Sequence, residues 1–184
     1  MDRTPAKIHE RIRVGGIKLS PELVQFSCNY TSATDSCLAT ALKVIAGQQI
    51  NVTFLSLSSS SDTLSMSLCV ALENHIIVRQ ILESAFADVG RLQCIDSVGT
   101  LTVFPHRNSL ALLGRIVGAF AVNSLPVYGI CTSISALSVN TRYSSLMQAV
   151  TTLRDIVDLP ENHSPFRQEF IIRQINLHSR CSER

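Results

Sequence analysis

Five histidines (His9, His75, His106, His163, His178) and six cysteines (Cys28, Cys37, Cys69, Cys94, Cys131, Cys181) are the residues best suited to catalysis or metal binding. A nucleophile needs a base within reach and a third group to orient the base. The histidines fall in the N-terminal segment, at helix starts or loops, and near the C-terminus, with no Ser or Cys signature to match. No catalytic residue is therefore assigned, and no enzymatic activity is expected. The cysteines lack paired short spacings, whereas a structural zinc site wants two close pairs. No metal is expected, and the thiols read as small buried hydrophobes. Gly15-Gly16 lacks the Lys-Ser that completes a phosphate loop, so no cofactor is expected either.

Two polar turns remain. In residues 30–36, Ser32, Thr34 and Asp35 are each suited to cap a following helix. In residues 104–109, His106 and Arg107 stand side by side, which fits either contact with an anion or a solvated turn. Neither turn does anything unless the chain positions it.

The positioning elements come as two copies. Residues 92–159 read as strand, strand, helix, strand, strand, helix, and residues 17–92 read as an earlier, imperfect copy. A shift of 75 carries Leu38, Leu42 and Ile45 onto Leu113, Val117 and Phe120, and carries Ile50 and Val52 onto Leu125 and Val127. After Ser58 the shift falls to 71, so four residues of the run 58–62 have no counterpart and mark a longer hairpin loop. Within the first copy, residues 23–29 alternate as a half-buried strand, and Leu38, Ala41, Leu42 and Ile45 recur at helical spacing before the stop at Gly47. Residues 50–58 and 63–72 follow as a hairpin, then Val78, Ile81, Leu82 and Ala85 as a second helix. The second copy repeats this, with a helix over 113–120, a hairpin of 127–133 and 136–140, and a helix over 146–157. Residues 1–13 read as a tail or link, 160–165 as a loop and 169–177 as a last strand. Strand–helix–strand–strand–helix plus a closing strand is the ferredoxin-like pattern, an α+β fold.

Composition bounds the partners. Apolar residues make up 46% and charged ones 16%, which is oily for units of about 75 residues; such units need to pack on each other and on a second chain. A net charge of +2 with scattered Lys and Arg gives no field for nucleic acid or an anionic membrane. Phe and Tyr are sparse where an RNA-binding sheet would carry stacking aromatics. The longest apolar segment, 110–122, contains Arg115 and is too short to span a bilayer. The first twenty residues are polar, without a signal-peptide pattern, so a cytoplasmic protein is expected.

The segment SLPVYGICTSISALSV of the second copy resembles the "INVxxIxTSExxISxxV" segment of ACT domains at the regulatory end of aspartokinases. QINVTFLSLSSSSDTLSMSLCV resembles the same segment with a longer hairpin loop, and IKLSPELVQFS and LQCIDSVGTLTVF resemble the strand that leads into each unit. The resemblance implies two ferredoxin-like (βαββαβ) ACT units, with antiparallel sheets and helices on one face. Unit one would span 12–91, unit two 92–166, and a C-terminal strand and tail 167–184. It also implies exchange of the leading strands, Ile17–Leu19 completing the second sheet and 92–95 the first. No amino-kinase domain is present, so the resemblance fits a free-standing tandem protein or a detached regulatory fragment.

ACT units bind small effectors, usually amino acids, where the first strand turns into the first helix. Open helix N–H groups and the positive dipole end suit a carboxylate there, and carbonyls at the start of the next strand suit an ammonium. Mapped by position, the first copy offers Asn29, Thr31, Ser32, Asp35, Ser36, Asn51 and Val52; the second offers His106, Arg107, Asn108, Ser109, Pro126 and Val127. The family's turn glycine is missing from both copies. Thr53 and Tyr128 stand where lysine-sensitive members carry an acid. The expected partners are an amino-acid effector, a second copy of the chain in a homodimer, and an amino-acid biosynthetic enzyme. The effector is expected at an interface between ACT units or between two copies of the chain, with its turn in the first copy and the second copy's turn as a wall. The alternative is a structural ACT module that has lost its ligand and only pairs.

Overall fold

The computed structural model describes residues 10–31, 35–60, 63–87, 90–105 and 109–161, and of residues 31, 35 and 36 the backbone alone. The first half of the chain contributes β1 (Ile12–Arg13), β2 (Gly16–Leu19), β3 (Leu23–Thr31), α1 (Asp35–Gly47), β4 (Val52–Ser60), β5 (Thr63–Ala71) and α2 (His75–Phe86). After them come β6 (Gly90–Phe104), α3 (Leu110–Val122), β7 (Gly129–Thr132), β8 (Leu137–Arg142), α4 (Leu146–Arg154) and β9 (Val157–Asp158). The two shifts found in the sequence reappear in space. A shift of 75 carries α1 onto α3, end for end, and a shift of 71 carries the first residue of α2 onto the first of α4.

The strands β4-β5-β3-β6-β8-β7 form one sheet, with β2 added on β6, and every pairing in it is antiparallel. β6 is the shared element. Its first part pairs with β3 (Tyr30 with Gly90, Phe26 with Cys94), and its second part pairs with β8 and with β2 (Ile17 with Val103). The sequence reads two strands here, the leading one over 92–95, yet the chain runs through as one. Ser97 takes a positive φ of 55°, and the register slips there, so a bulge re-aims the strand without ending it. Each half then has four strands in ferredoxin-like order, β6-β3-β5-β4 and β2-β6-β8-β7.

Alternation along the strands divides the apolar residues between layers. Val24, Phe26, Cys28, Met66, Leu68 and Val70 pack against Leu38, Ala41 and Ile45 of α1 and Val78, Leu82 and Phe86 of α2. Ile17, Leu101, Val103, Leu137 and Val139 pack likewise against Leu112, Ile116 and Phe120 of α3 and Leu146, Ala149, Val150 and Leu153 of α4. Gly99 is small because it must be: a Cβ there would stand 2.5 Å from Leu146 Cδ1, where α4 begins. A third cluster, Leu23, Phe54, Cys69 and Val98, joins the two halves.

Three sequence expectations change. Residues 12 and 13 are not tail: β1 pairs in parallel with β9, and Arg115 of α3 donates to the Glu10 carbonyl at 2.6 Å. The last helix stops at Arg154, because Val157 turns to meet Ile12. The sheets are continuous rather than separate, through β6. The expected strand over 169–177, and most of the loop over 160–165, lie outside the described residues. None of the described helices is long and apolar enough to cross a membrane.

Candidate functional site

The strand register fixes where the expected effector residues stand. Asn29 is exposed on β3 between Ser65 and Arg91; Thr31 ends that strand, and Asp35 and Ser36 open α1. Ser32, His106, Arg107 and Asn108 lie outside the described residues. Ser109 is the N-cap of α3, and its Oγ accepts from Leu112 N at 3.1 Å. That occupies one of the donors a ligand would use. Asn51 is exposed just before β4, Val52 opens β4, and Val127 is exposed just before β7.

These positions form three separate groups. Val52 pairs with Val70, which pairs with Val24; Thr31 is seven residues further along β3, roughly 23 Å of extended chain. The first turn and the start of the following strand therefore lie at opposite ends of the sheet. A strand–helix–strand crossover requires this, because the helix carries the chain back before the next strand begins. The second half repeats it: the Pro126 carbonyl accepts from Thr141, which pairs with Gly99, and Phe104 is five residues, roughly 17 Å, beyond Gly99. The two strand starts converge at the centre of the molecule, and the two turns lie at its far ends.

At that centre the structure holds a polar network that alternation alone assigns to the solvent side. Gln25, Cys69, Thr100 and Asn140 are all buried. Asn140 Nδ2 donates to Gln25 Oε1 (3.0 Å) and to Cys69 Sγ (3.2 Å), and Thr100 Oγ1 donates to Asn140 Oδ1 (2.7 Å). Gln25 Nε2 donates to the Tyr128 carbonyl (3.1 Å), and the Cys69 thiol is directed at Gln25 Oε1 (3.6 Å). The repeat was the available signal. A shift of 75 carries Leu23, Gln25 and Phe54 onto Val98, Thr100 and Gly129, and a shift of 71 carries Cys69 onto Asn140. Each of these equivalent pairs falls in this one small region, as expected on a pseudo-twofold axis. Burial pushes the Cys69 thiol up to about 12, although the Asn140 hydrogen bond pulls the other way. Burial also raises Cys28.

A groove of about 440 Å³ lies beside the second turn, between Gly15, Pro105 and the residues after β9. Arg13, Asp158 and Glu161 are among its lining residues, with Arg13 and Asp158 paired across β1 and β9. A Cβ on Gly15 would stand 2.4 Å from Pro105 Cδ, so the groove wall depends on this glycine. No sequence pattern marks it, since residues 1–13 carry no apolar periodicity.

No protein-family model matches the chain. No curated protein matches it either. Solved structures do. The regulatory subunit of aspartate kinase from Thermus thermophilus, in its ligand-free form, superposes with a TM-score of 0.69 at 15% identity, covering 79% of this chain and 99% of that one. Aspartate kinase from Synechocystis gives 0.70 at 13% identity over 84% of this chain, which corresponds to 28% of that longer enzyme. E. coli aspartokinase III in complex with lysine and aspartate gives 0.57 at 12% identity, over 82% of this chain and 34% of that one. Identities this low establish a shared fold, that of the aspartate kinase regulatory part.

Proposed function

We propose that the chain is a non-catalytic regulatory module of the ACT type that binds an amino acid between two copies of itself. The observation that carries this reading is the separation of the first turn from the strand start within one chain, roughly 23 Å. A free amino acid is far too small to touch both. In a twofold dimer, the Asn29–Ser36 turn of one copy can face the Asn51–Val52 segment of the other. N–H groups at the start of α1 then take the carboxylate, and carbonyls near Val52 take the ammonium. A site completed only by a second copy makes ligand binding and assembly one equilibrium, which is how a small effector would reach a partner enzyme of amino-acid biosynthesis in the cytoplasm. The shared fold supports this reading, as does the lysine and aspartate complex of the E. coli aspartokinase.

The absence of catalysis is inferred from chemistry. Among the described residues, His75 and Cys94 are the histidine and cysteine in contact, at 3.7 Å. Burial and the neighbouring Asp96 push the Cys94 thiol up to about 11, so with no metal cation beside it the sulfur stays protonated and lacks the thiolate a nucleophile needs.

A second reading, a structural pairing module without ligand, has its own support. In the second half, Ser109 already caps α3, and the Pro126 and Tyr128 carbonyls are engaged by Thr141 and Gln25. A thermal-shift screen of the twenty amino acids separates the two, since a ligand of the native state raises the melting temperature by mass action. One or a few responders, silenced by Ser36→Leu, support the effector module. A flat response across all twenty supports the pairing module.

A further inference from the structure

On the helix-covered side of the first half, three ligand-bearing side chains converge. His75 is the first residue of α2, and Cys94 and Asp96 are two apart on β6, so their side chains leave the strand on the same side. Cys94 Sγ stands 3.7 Å from His75 Nε2 and 3.5 Å from Asp96 Oδ1, and His75 Nε2 stands 4.0 Å from Asp96 Oδ1. We propose that His75 Nε2, Cys94 Sγ and Asp96 Oδ1 bind one thiophilic divalent metal ion, zinc or a zinc-like ion, leaving a fourth position to solvent.

The three edges fit the triangle such an ion requires. With metal–ligand distances of about 2.3 Å to sulfur and 2.0–2.1 Å to nitrogen and oxygen, tetrahedral angles put the ligands about 3.5, 3.5 and 3.3 Å apart. The two edges to sulfur already fit. The third closes by about 0.7 Å through Asp96, whose side chain is 69% exposed and can turn. Sulfur with imidazole selects zinc-like ions over magnesium or calcium. The Phe26 ring lies 5.8 Å from that of His75, tilted by 45°, and gives the imidazole an aromatic neighbour.

The repeat shows that the fold does not need polar residues here. The same shifts carry His75, Cys94 and Asp96 onto Leu146, Leu19 and Pro21. In the second half, then, Leu146 is buried and Leu19 packs beside it in the apolar core. One repeat closes this corner with leucines, and the other with a nitrogen, a sulfur and a carboxylate. Because β6 serves both halves, an ion here would pin α2 to the strand just before the bulge at Ser97.

Titrating the full, reduced chain with Co²⁺ tests this, because cobalt reports its ligands by colour. The expected result is a thiolate-to-cobalt charge-transfer band with tetrahedral visible bands, saturating at one ion per chain and erased by Zn²⁺. Cys94→Ser should abolish the charge-transfer band. Asp96→Asn, an exposed change that spares the fold, should weaken binding at least about tenfold. No band in the unmodified chain, a band that survives Cys94→Ser, or unchanged affinity in Asp96→Asn would overturn the site.

Discussion

Asn140 Nδ2 donates to Cys69 Sγ at 3.2 Å, and the two residues occupy equivalent positions of the two repeats. A symmetric ancestor would place two identical side chains there. This chain places a donor-rich amide against a soft acceptor, which lets both be satisfied with Gln25 and Thr100. Phe54 and Gly129 differ in the same complementary way. A Cβ on Gly129 would stand 3.1 Å from Phe54 Cζ, so the large residue of one repeat fills the space left by the small residue of the other. The two halves are complementary where they meet, and the joint between them is a core.

Removing Asn140 should therefore damage that joint. Asn140→Ala strips partners from the buried side chains of Gln25 and Thr100. The expected loss is about 2–4 kcal/mol, read from urea unfolding. A loss well below 1 kcal/mol would mean that the network carries little.

Gly99→Ala should cost about 1–3 kcal/mol, because the new methyl would meet the buried Leu146 side chain at 2.5 Å and force it to repack. An unchanged urea midpoint would contradict this packing.

The Cys69 thiol gives a pH signature. Its pKa rises from 9.0 in the unfolded chain to about 12 in the folded one, so the folded state holds the proton more tightly. The stabilisation is complete below pH 9 and is lost as pH climbs toward 12. Unfolding free energy should fall over that window more steeply in the unmodified chain than in Cys69→Ala. Equal slopes would contradict the assignment.

The reading of the chain as a dimer turns on β4, an edge strand of nine residues, VTFLSLSSS, without a charge to block pairing. Leu57→Lys, which sets like charges against each other when two copies of this strand pair, should shift a dimer toward monomer in light scattering. A chain that stays monomeric at micromolar concentration even with its ligand bound would defeat the proposal.

The sequence was legible where a period ran long enough to count. The helices α1 and α3 sit where Leu38, Ile45, Leu113 and Phe120 mark them, and Gly47 ends the first. Two-residue strands such as β1 and β9 have no period to detect. Asp96-Ser97 looks like a turn, because a residue with positive φ inside a strand leaves no mark that a loop would not leave too. Gln25 and Asn140 alternate onto the side that a lone sheet gives to solvent, and only contact between the halves buries them. The separation of the first turn from Val52 follows from crossover geometry, which no local period in the sequence displays. His75 lies about twenty residues before the Cys94–Asp96 pair, beyond any short-spacing rule for metal ligands.

The most direct test of the regulatory reading is sedimentation equilibrium of the full chain, with and without the amino acid that raises its melting temperature. A site shared between two copies requires that ligand to tighten the monomer–dimer equilibrium, by linkage. The predicted result is a shift toward dimer that saturates at one or two ligands per pair and vanishes in Ser36→Leu. Binding that leaves the association constant unchanged, with full occupancy of a monomer, would contradict it.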